Sequence, residues 1–327
     1  MRIDLFDIKI RCLCNFPRAR YFSHRANSKS FLGGLNSARF FQENKVSLPR
    51  MSLFITSLNS GSNGNCYYVG NEREAVLVDA GISCREIEKR MKRLGLSMEK
   101  IRAIFVSHEH SDHIKGIPVL SKKYRLPVYI TPATLRFGRL YLEKELIRSF
   151  NSYVPVSIGG LLVTGFPKLH DAADPFSFVV EHGHIKVGVF TDIGRPCEHV
   201  VRNFRQCHAA FLESNYDEQM LEHGGYPYQL KNRIRGGNGH LSNKQALELF
   251  LSHRAGFMTH LILSHLSKNN NCPKLVGELF KHHAGSVKTI VASRFEETAV
   301  YQIHQLRMEQ PQAAYAPRLQ QMEFSFA

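Results

Sequence analysis

The sequence predicts an α/β fold in which two β-sheets pack face to face and helices cover their outer surfaces. Short apolar runs of strand length alternate with longer segments of helical character through most of the 327 residues, a mixture typical of layered α/β domains. Ionisable residues follow directly after several of these runs, where strands would deliver them to one rim. Hydrophobic residues make up 43% of the chain, which is ample for a sizeable core.

The individual elements follow from local composition and spacing. Strands are predicted from short runs of β-branched, aromatic and other apolar residues, at residues 52–58, 66–69, 75–78, 104–106, 128–130, 161–165, 176–181, 186–191, 209–213 and 260–263. Helices are predicted at residues 83–94, 198–204, 244–253 and 274–283. Ser83 with Glu86, and Ser242 with Gln245, have capping-box spacing at two of the helix starts.

Two bulk properties bear on the compartment. The sequence has no run of about 18 apolar residues, so we expect no transmembrane helix and no membrane partner. The seven cysteines are odd in number and scattered, which favours a reducing compartment over a disulfide framework. We therefore predict a cytoplasmic protein.

Residues 1–50 form a basic segment, with ten Lys or Arg against three acids, and supply about half of the formal charge of +15. Their composition predicts a disordered extension. An organellar transit peptide would look similar, and so would translation from a codon upstream of a natural start at Met51. The basic balance of the remaining chain favours an anionic polymer or substrate as partner, although many basic proteins have no such partner.

A cluster of potential metal ligands follows the apolar run at residues 103–106. The cluster is His108-Glu109-His110-Ser111-Asp112-His113. Three imidazoles and a carboxylate on a loop after a buried strand predict a metal site, and ligands without thiolate suit Zn, Mn or Fe.

The His-x-His-x-Asp-His pattern resembles that of the metallo-β-lactamase superfamily. Further marks of this family occur in order: Asp79 after the run 76–78, then His170, Asp192 and His265. The resemblance implies a four-layer αββα sandwich, formed here by residues 51–305, and a metal-dependent hydrolase.

The same resemblance implies two divalent metal ions, with Zn or Mn expected. One metal would be bound by His108, His110, His170 and Asp192. The other would be bound by Asp112, His113, Asp192 and His265. Asp79 would orient the metal loop from outside the ligand set, and Asp112 would act in catalysis through its metal. Such metals activate water and polarise a phosphoryl or carbonyl oxygen.

Glu213 and His240 resemble an acid–histidine pair of the nuclease branch of the superfamily, which includes transfer-RNA 3′-processing enzymes. There the histidine helps to protonate the leaving group and the acid orients it, which is general acid catalysis. The alternative is that His240 caps the helix that follows it.

A small, Gly-rich loop at residues 60–66 allows backbone N–H groups to approach an anion, although it could be only a tight turn. Together with residues 239–243 and 266–270, this loop resembles the YycJ-like (WalJ) exonuclease group, which is associated with DNA metabolism. Asn63 departs from that pattern, where a second small residue is expected. The resemblance implies substrate contacts from Ser60, Ser62, Asn65, Ser242 and Asn243.

Two further segments suggest contacts with nucleic acid or its partners. Lys231, Arg233 and Arg235 could bind backbone phosphates, or could form a solvated helix end. Near the end of the chain, in residues 306–327, the candidate anchors are Gln321, Met322, Phe324 and Phe326. They resemble the peptides that bacterial repair proteins insert into the sliding clamp, although a tail strand packed on the domain would also explain them.

These observations favour a metal-dependent phosphodiesterase, namely a 5′-to-3′ DNA exonuclease in DNA repair or metabolism. A thioester or other small-ester hydrolase would use the same metal ligands. A non-catalytic scaffold that binds nucleic acid or the clamp is the other alternative. The Glu213–His240 pair and the basic charge weigh against the small-ester hydrolase, and the intact ligand set weighs against the scaffold.

Overall fold

A computed structural model describes residues 51–304 of the chain. The basic segment 1–50 and the tail with the clamp-peptide residues Gln321, Met322, Phe324 and Phe326 lie outside the described residues. Within residues 51–304, no helix is long and apolar enough to cross a membrane.

The first sheet is built mainly from the early part of the chain. Its strands are β1 (Leu53–Asn59), β2 (Cys66–Gly70), β3 (Ala75–Val78), β4 (Ile101–Phe105), β5 (Val128–Tyr129), β6 (Ile147–Arg148) and β14 (Tyr301–Ile303). They lie in the order β14–β1–β2–β3–β4–β5–β6. The pairs from β14 to β3 are antiparallel, and those from β3 to β6 are parallel.

The second sheet is built from the later part of the chain. Its strands are β7 (Val156–Ile158), β8 (Leu161–Pro167), β9 (Phe176–His182), β10 (Ile185–Phe190), β11 (Ala209–Glu213), β12 (His260–Ser264) and β13 (Lys288–Val291). They lie side by side in reverse chain order. Strands β7 to β10 are joined antiparallel, whereas β10 to β13 run parallel.

The helices cover the outer faces of the sheets or lie at their rims. They are α1 (Cys84–Arg93), α2 (Ser111–Ile114), α3 (Ile117–Tyr124), α4 (Pro132–Phe137), α5 (Glu198–Phe204), α6 (Glu218–His223), α7 (Tyr228–Arg235), α8 (Asn243–His253) and α9 (Pro273–Lys281). Two short 3₁₀ helices lie at Met98–Lys100 and Lys144–Leu146.

Three buried apolar clusters form the core of the described residues and show the layering. The central cluster joins the inner faces of the sheets, and in it the Phe105 and Phe178 rings meet edge-to-face at 5.6 Å. A second cluster joins the first sheet to α1 and α3. A third joins the other sheet to α5, α8 and α9. Each sheet is thus buried on both faces, which explains why its strands appear in the sequence as continuous apolar runs.

Most predicted elements are present, with shifts of a few residues at their ends. The capping box of Ser242 and Gln245 is complete. At Ser83 only half of the predicted box forms, because the Glu86 carboxylate binds the Arg90 guanidinium instead of returning to the cap. Elements missed by the sequence patterns include α3, α4, α6, α7, β7, β13 and β14.

The topology brings the carboxyl ends of several strands to one rim. Asp79 follows β3, the loop that contains His108 follows β4, and Asp192 follows β10. Glu213 ends β11, and His265 follows β12. Since parallel strands present their carboxyl ends together, residues far apart in the chain meet at this rim.

Candidate metal centre

Three residues at the strand ends adopt the left-handed backbone conformation. Asp79, Asp192 and His265 have φ values of 61°, 55° and 57°. This region costs a residue other than glycine about 1–3 kcal/mol. All three side chains lie at or directly behind the same site, so part of the backbone strain of the described residues is used to build the centre.

Asp79 holds the metal loop in place from below. Its carboxylate accepts hydrogen bonds from the Ser107 backbone N–H and the Ser107 hydroxyl, each at 2.8 Å. Its Oδ2 also lies 2.7 Å from His113 Nδ1. With Nδ1 held by Asp79, the His113 Nε2 atom faces Asn65 Nδ2 at 3.1 Å and Asp192 Oδ2 at 3.2 Å, where it is placed to act as a ligand atom.

Two glycines allow the metal loop to pack against the segment after β3. A Cβ atom on Gly81 would lie 1.7 Å from the Asp112 carbonyl oxygen, and one on Gly116 would lie 2.0 Å from the Ile82 carbonyl oxygen. The Ala80 N–H also donates to the His113 carbonyl at 2.9 Å. Any larger residue at either glycine would displace the ligand loop.

The first ligand cluster consists of His108, His110 and His170. His110 Nδ1 lies 3.1 Å from His108 Nε2 and 3.3 Å from His170 Nε2. These separations match the edge of about 3.3 Å expected for a tetrahedron of nitrogens about 2.0 Å from Zn²⁺. His170 Nδ1 lies 3.0 Å from the Gly239 carbonyl oxygen, which orients the ring and leaves Nε2 free.

The second cluster consists of Asp112, His113 and His265, with Asp192 between the two clusters. His265 Nε2 lies 3.4 Å from Asp112 Oδ2. Asp192 Oδ2 lies 3.2 Å from His113 Nε2, whereas Oδ1 lies 3.9 Å from His170 Nε2. Asp192 Oδ1 also lies 3.5 Å from His265 Nδ1, so the carboxylate is within reach of both clusters and closer to the second.

The electrostatics of these residues fit a bound cation. Asp192 Oδ2 is buried and has no hydrogen bond among the described residues. Burial alone would raise the Asp192 pKa, but His265 and His113 hold it well below the usual range. A buried, ionised carboxylate with an unsatisfied oxygen, facing imidazole nitrogens, is a suitable ligand for a divalent metal ion.

Comparisons with known proteins show the family of the chain. The family described as "Beta-lactamase superfamily domain" matches residues 74–265. The chain belongs to the beta-lactamase superfamily. It is 35% identical over 230 residues to Exodeoxyribonuclease YycJ of Bacillus anthracis, covering 69% of this chain and 86% of that one. It is 30% identical over 225 residues to Exodeoxyribonuclease WalJ of Streptococcus pneumoniae, covering 67% and 83%.

Solved structures show the same fold. The metallo-beta-lactamase fold protein YhfI from Bacillus subtilis superposes with a TM-score of 0.60 at 16% identity, covering 77% of this chain and 99% of that chain. The predicted αββα sandwich is therefore confirmed. As a member of the beta-lactamase superfamily, the chain is a metal-dependent hydrolase, and its His and Asp clusters are suited to divalent metal ions.

In this superfamily member, Glu213 and His240 are in direct contact next to the ligand clusters. Glu213 Oε1 lies 2.7 Å from His240 Nδ1 and 3.1 Å from His265 Nδ1. Glu213 Oε2 accepts a hydrogen bond of 2.6 Å from the Ile193 N–H. Burial alone would raise the Glu213 pKa, but His240 lowers it to about 2. The alternative role for His240 is wrong, because Ser242 caps the helix.

The residues predicted to contact substrate divide into two groups. Ser62 is exposed and lines the pocket beside the ligands. The other four are buried and bonded internally, so their side chains are not open to a substrate: Ser60, Asn65, Ser242 and Asn243.

The bonds of these buried residues lead back to the centre or to its neighbours. Ser60 Oγ accepts the His265 N–H at 2.7 Å, and Asn65 Nδ2 lies 3.2 Å from Asp112 Oδ2. Asn243 accepts the hydroxyl of Ser214 at 2.7 Å. These residues support the site rather than line it. The sequence did not show this, because small polar side chains before a strand look the same whether they are buried or exposed.

The basic segment lies on α7 and also divides. Arg233 lines the pocket and binds the Asp171 carboxylate. Lys231 and Arg235 instead bind Glu222, through its carbonyl and its carboxylate respectively. The alternative prediction of a solvated helix end therefore fits Lys231 and Arg235, whereas Arg233 faces the centre.

The structure adds residues that the sequence patterns missed. A cavity of about 340 Å³ at the ligands is also lined by Asn215, Tyr226, Leu230 and Ile234. Buried Lys168 donates to the Thr191 carbonyl at 2.6 Å, next to Asp192. None of these belongs to a local motif. Only the Leu230–Ile234 spacing, typical of one helix face, hinted at an apolar wall.

Proposed function

We propose that the protein is a dinuclear metal-dependent phosphodiesterase that degrades DNA from the 5′ end. The contact between Glu213 and His240 beside the ligand clusters carries this proposal, since a leaving alkoxide of a phosphodiester needs a proton. The relatives named exodeoxyribonucleases support DNA as the substrate. So does the formal charge of +15, which suits a polyanion.

The residues would divide the metals between two sets. His108, His110 and His170 would bind one metal, and Asp112, His113 and His265 the other. Asp192 would contribute to both, in keeping with its position between His113 and His265 on one side and His170 on the other. Bound metals at such a centre supply activated water and stabilise the negative charge that develops at phosphorus.

His240 is placed to act as the general acid. Its Nδ1 lies against the ionised carboxylate of Glu213, so the other ring nitrogen can hold and release a proton. The His240 side chain is 20% exposed, whereas that of Glu213 is fully buried. The imidazole can thus meet a substrate, while the acid only orients it.

The outer wall of the pocket would hold the strand. Arg233 supplies a guanidinium for a phosphate oxygen. Tyr226 and Leu230 offer apolar surface against which a sugar or base can pack. Ser62 lines the same pocket.

Two further predictions complete the proposal. A cytoplasmic location agrees with the described cysteines, which are all free. Docking on the sliding clamp through Gln321–Met322 and the two phenylalanines after them stays a prediction. Deletion of residues 321–327 would leave clamp binding unchanged if that prediction were wrong.

The deciding experiment measures nuclease activity of the full chain with Mn²⁺ or Zn²⁺ added. Single-stranded DNA and RNA carry a label at the 5′ or the 3′ end, and an Asp112→Ala variant is the control. We expect release of short products from the 5′ end of DNA, lost in the variant. Turnover of a thioester without cleavage of any nucleic acid would instead favour the small-ester hydrolase. Nucleic-acid binding without any hydrolysis would favour the scaffold.

A further inference from the structure

An exposed aromatic and basic segment borders the metal loop. We call residues 136–141 the rim segment; it comprises the end of α4 and the four residues after it. Within it, Phe137 and Tyr141 are 63% and 91% exposed. Exposed aromatic rings beside basic side chains are the combination on which proteins stack the bases of single strands.

The rim segment is anchored to the domain while its aromatic and basic side chains face outward. Leu135, Leu140 and Leu142 pack against the apolar cluster under the first sheet. The N-terminus of α4 is capped by Thr131, whose hydroxyl accepts the Thr134 N–H at 3.2 Å. The exposure of the rings is therefore a feature of a packed segment.

The segment lies directly against the metal loop. A Cβ atom on Gly138 would lie 3.0 Å from Ile114 Cδ1 and 3.3 Å from Glu109 Cβ. Glu109 stands between the ligands His108 and His110 in the chain. A nucleic-acid strand lying along the rim segment would thus reach the metal centre within a few nucleotides.

The charge of the rim segment is positive and uncompensated. Arg136 and Arg139 are exposed, and within residues 51–304 neither forms an ion pair. The nearby acids are engaged elsewhere: Glu143 and Glu145 bind Arg125, and Glu109 accepts the Ala173 N–H at 2.7 Å. The Arg136 guanidinium lies 5.7 Å from the centre of the Phe137 ring.

We infer that Arg136, Phe137, Arg139 and Tyr141 bind the single-stranded DNA that leads to the metal centre. Bases stack on the two rings, and the guanidinium groups pair with backbone phosphates, which is how proteins hold single strands without reading their sequence. This inference rests on the proposed function. It adds a surface that selects single strands and longer substrates, whereas the pocket itself holds only the reacting end.

The test uses two double variants of the full chain, Phe137→Ala with Tyr141→Ala, and Arg136→Ala with Arg139→Ala. Binding of a fluorescent 20-nucleotide oligothymidine is measured by anisotropy in an Asp112→Ala background, where no cleavage occurs. We expect each pair to weaken binding by about tenfold or more. The arginine pair also lowers the salt dependence of binding, because phosphate contacts are lost.

A matched control carries Phe257→Ala and Lys281→Ala. Phe257 is an exposed aromatic residue before β12, and Lys281 is the exposed last residue of α9. Its affinity stays at the wild-type value. Turnover of bis(p-nitrophenyl) phosphate, a diester too small to reach the rim segment, is measured in the cleavage-competent background. It changes less than about twofold in every variant, which also shows that the variants fold.

The outcomes separate this inference from the proposed function. Unchanged oligothymidine binding in both double variants overturns the inference and leaves the surface to a protein partner. The same anisotropy measurement is made with a 20-nucleotide oligouridine. If the double variants bind only oligouridine more weakly, the assignment to DNA is overturned. If wild-type protein hydrolyses no phosphodiester, the proposed function fails, while the anisotropy still decides whether the rim segment binds a strand.

Discussion

The inner and outer walls of the pocket are built on different principles. The inner wall consists of strand ends, with buried ligands that contact one another and Asp79. The outer wall consists of Tyr226 and of residues of α7, and the exposed rim segment lies outside the pocket, against the metal loop. The fold therefore places the candidate ligands at the strand ends, whereas the proposed substrate contacts are exposed side chains around them.

The strongest test of this contrast is Asp192→Asn. The amide keeps the shape but removes the charge that faces both ligand clusters. We expect activity to fall by more than about 10³-fold because metal binding and charge stabilisation are both lost. Bound metal per chain and turnover are measured together. Wild-type activity in this variant would show that Asp192 is not part of the centre.

Glu213→Gln comes next, because it removes the partner that orients His240. We expect kcat to fall by about 10²–10³-fold. Replacing His240 with Gln gives a similar loss, and combining both changes adds little, since the two act as one unit. Strictly multiplicative losses in the double variant would contradict a functional pair.

Asp79→Asn reaches the centre only through His113 and Ser107. We expect metal affinity to fall by about 10–100-fold, with most activity restored at saturating metal. Competition with a chelator gives the affinity. An equal loss of activity that metal does not restore would mean that Asp79 supports the fold rather than the metal loop.

Metal loading is also expected to depend on pH. Burial alone would lower the His265 pKa, but Asp192, Asp112 and Glu213 raise it to about 10 in the metal-free protein. Because the metal must displace this proton, affinity rises with pH between about 6 and 9 and falls as the solution is acidified. Calorimetry in buffers of different ionisation enthalpy measures the released proton. Binding without proton release would contradict this account.

The smallest effect is expected on the outer wall. Arg233→Ala removes one phosphate contact, so KM for DNA rises by about fivefold while kcat changes little. Arg235→Ala is the matched control, since Arg235 binds Glu222. Steady-state kinetics at several salt concentrations separate the two. Equal effects of both variants would show a general charge effect instead of a specific contact.

The same contrast explains what the sequence could predict. The candidate ligands could be predicted from the sequence because metal binding demands particular side chains at fixed spacing: His108, His110, Asp112 and His113 lie within six residues. The strands could be predicted because both faces of each sheet are buried, which leaves continuous apolar runs in the sequence. The fold class follows from these two signals together.

The residues of the outer wall could not be predicted from the sequence, and the reason is physical. Tyr226 and Leu230 reach the pocket through the path of the chain between β11 and α8, and the Leu230–Ile234 spacing indicates a helix face but not what that face covers. Ser60 and Asn65 lie on a loop of small polar residues, where an exposed substrate contact and a buried support have the same composition. Glu86 shows the same limit, because its choice between the cap and Arg90 depends on tertiary contacts.

The most direct test of the central claim is a metal titration of the metal-free full chain, with native mass spectrometry and DNA cleavage followed on the same samples. The account predicts that two divalent ions bind per chain and that cleavage of 5′-labelled single-stranded DNA appears as the second site fills. Full cleavage by a chain with no bound metal, or two bound ions retained at wild-type affinity after Asp192→Asn, would contradict it.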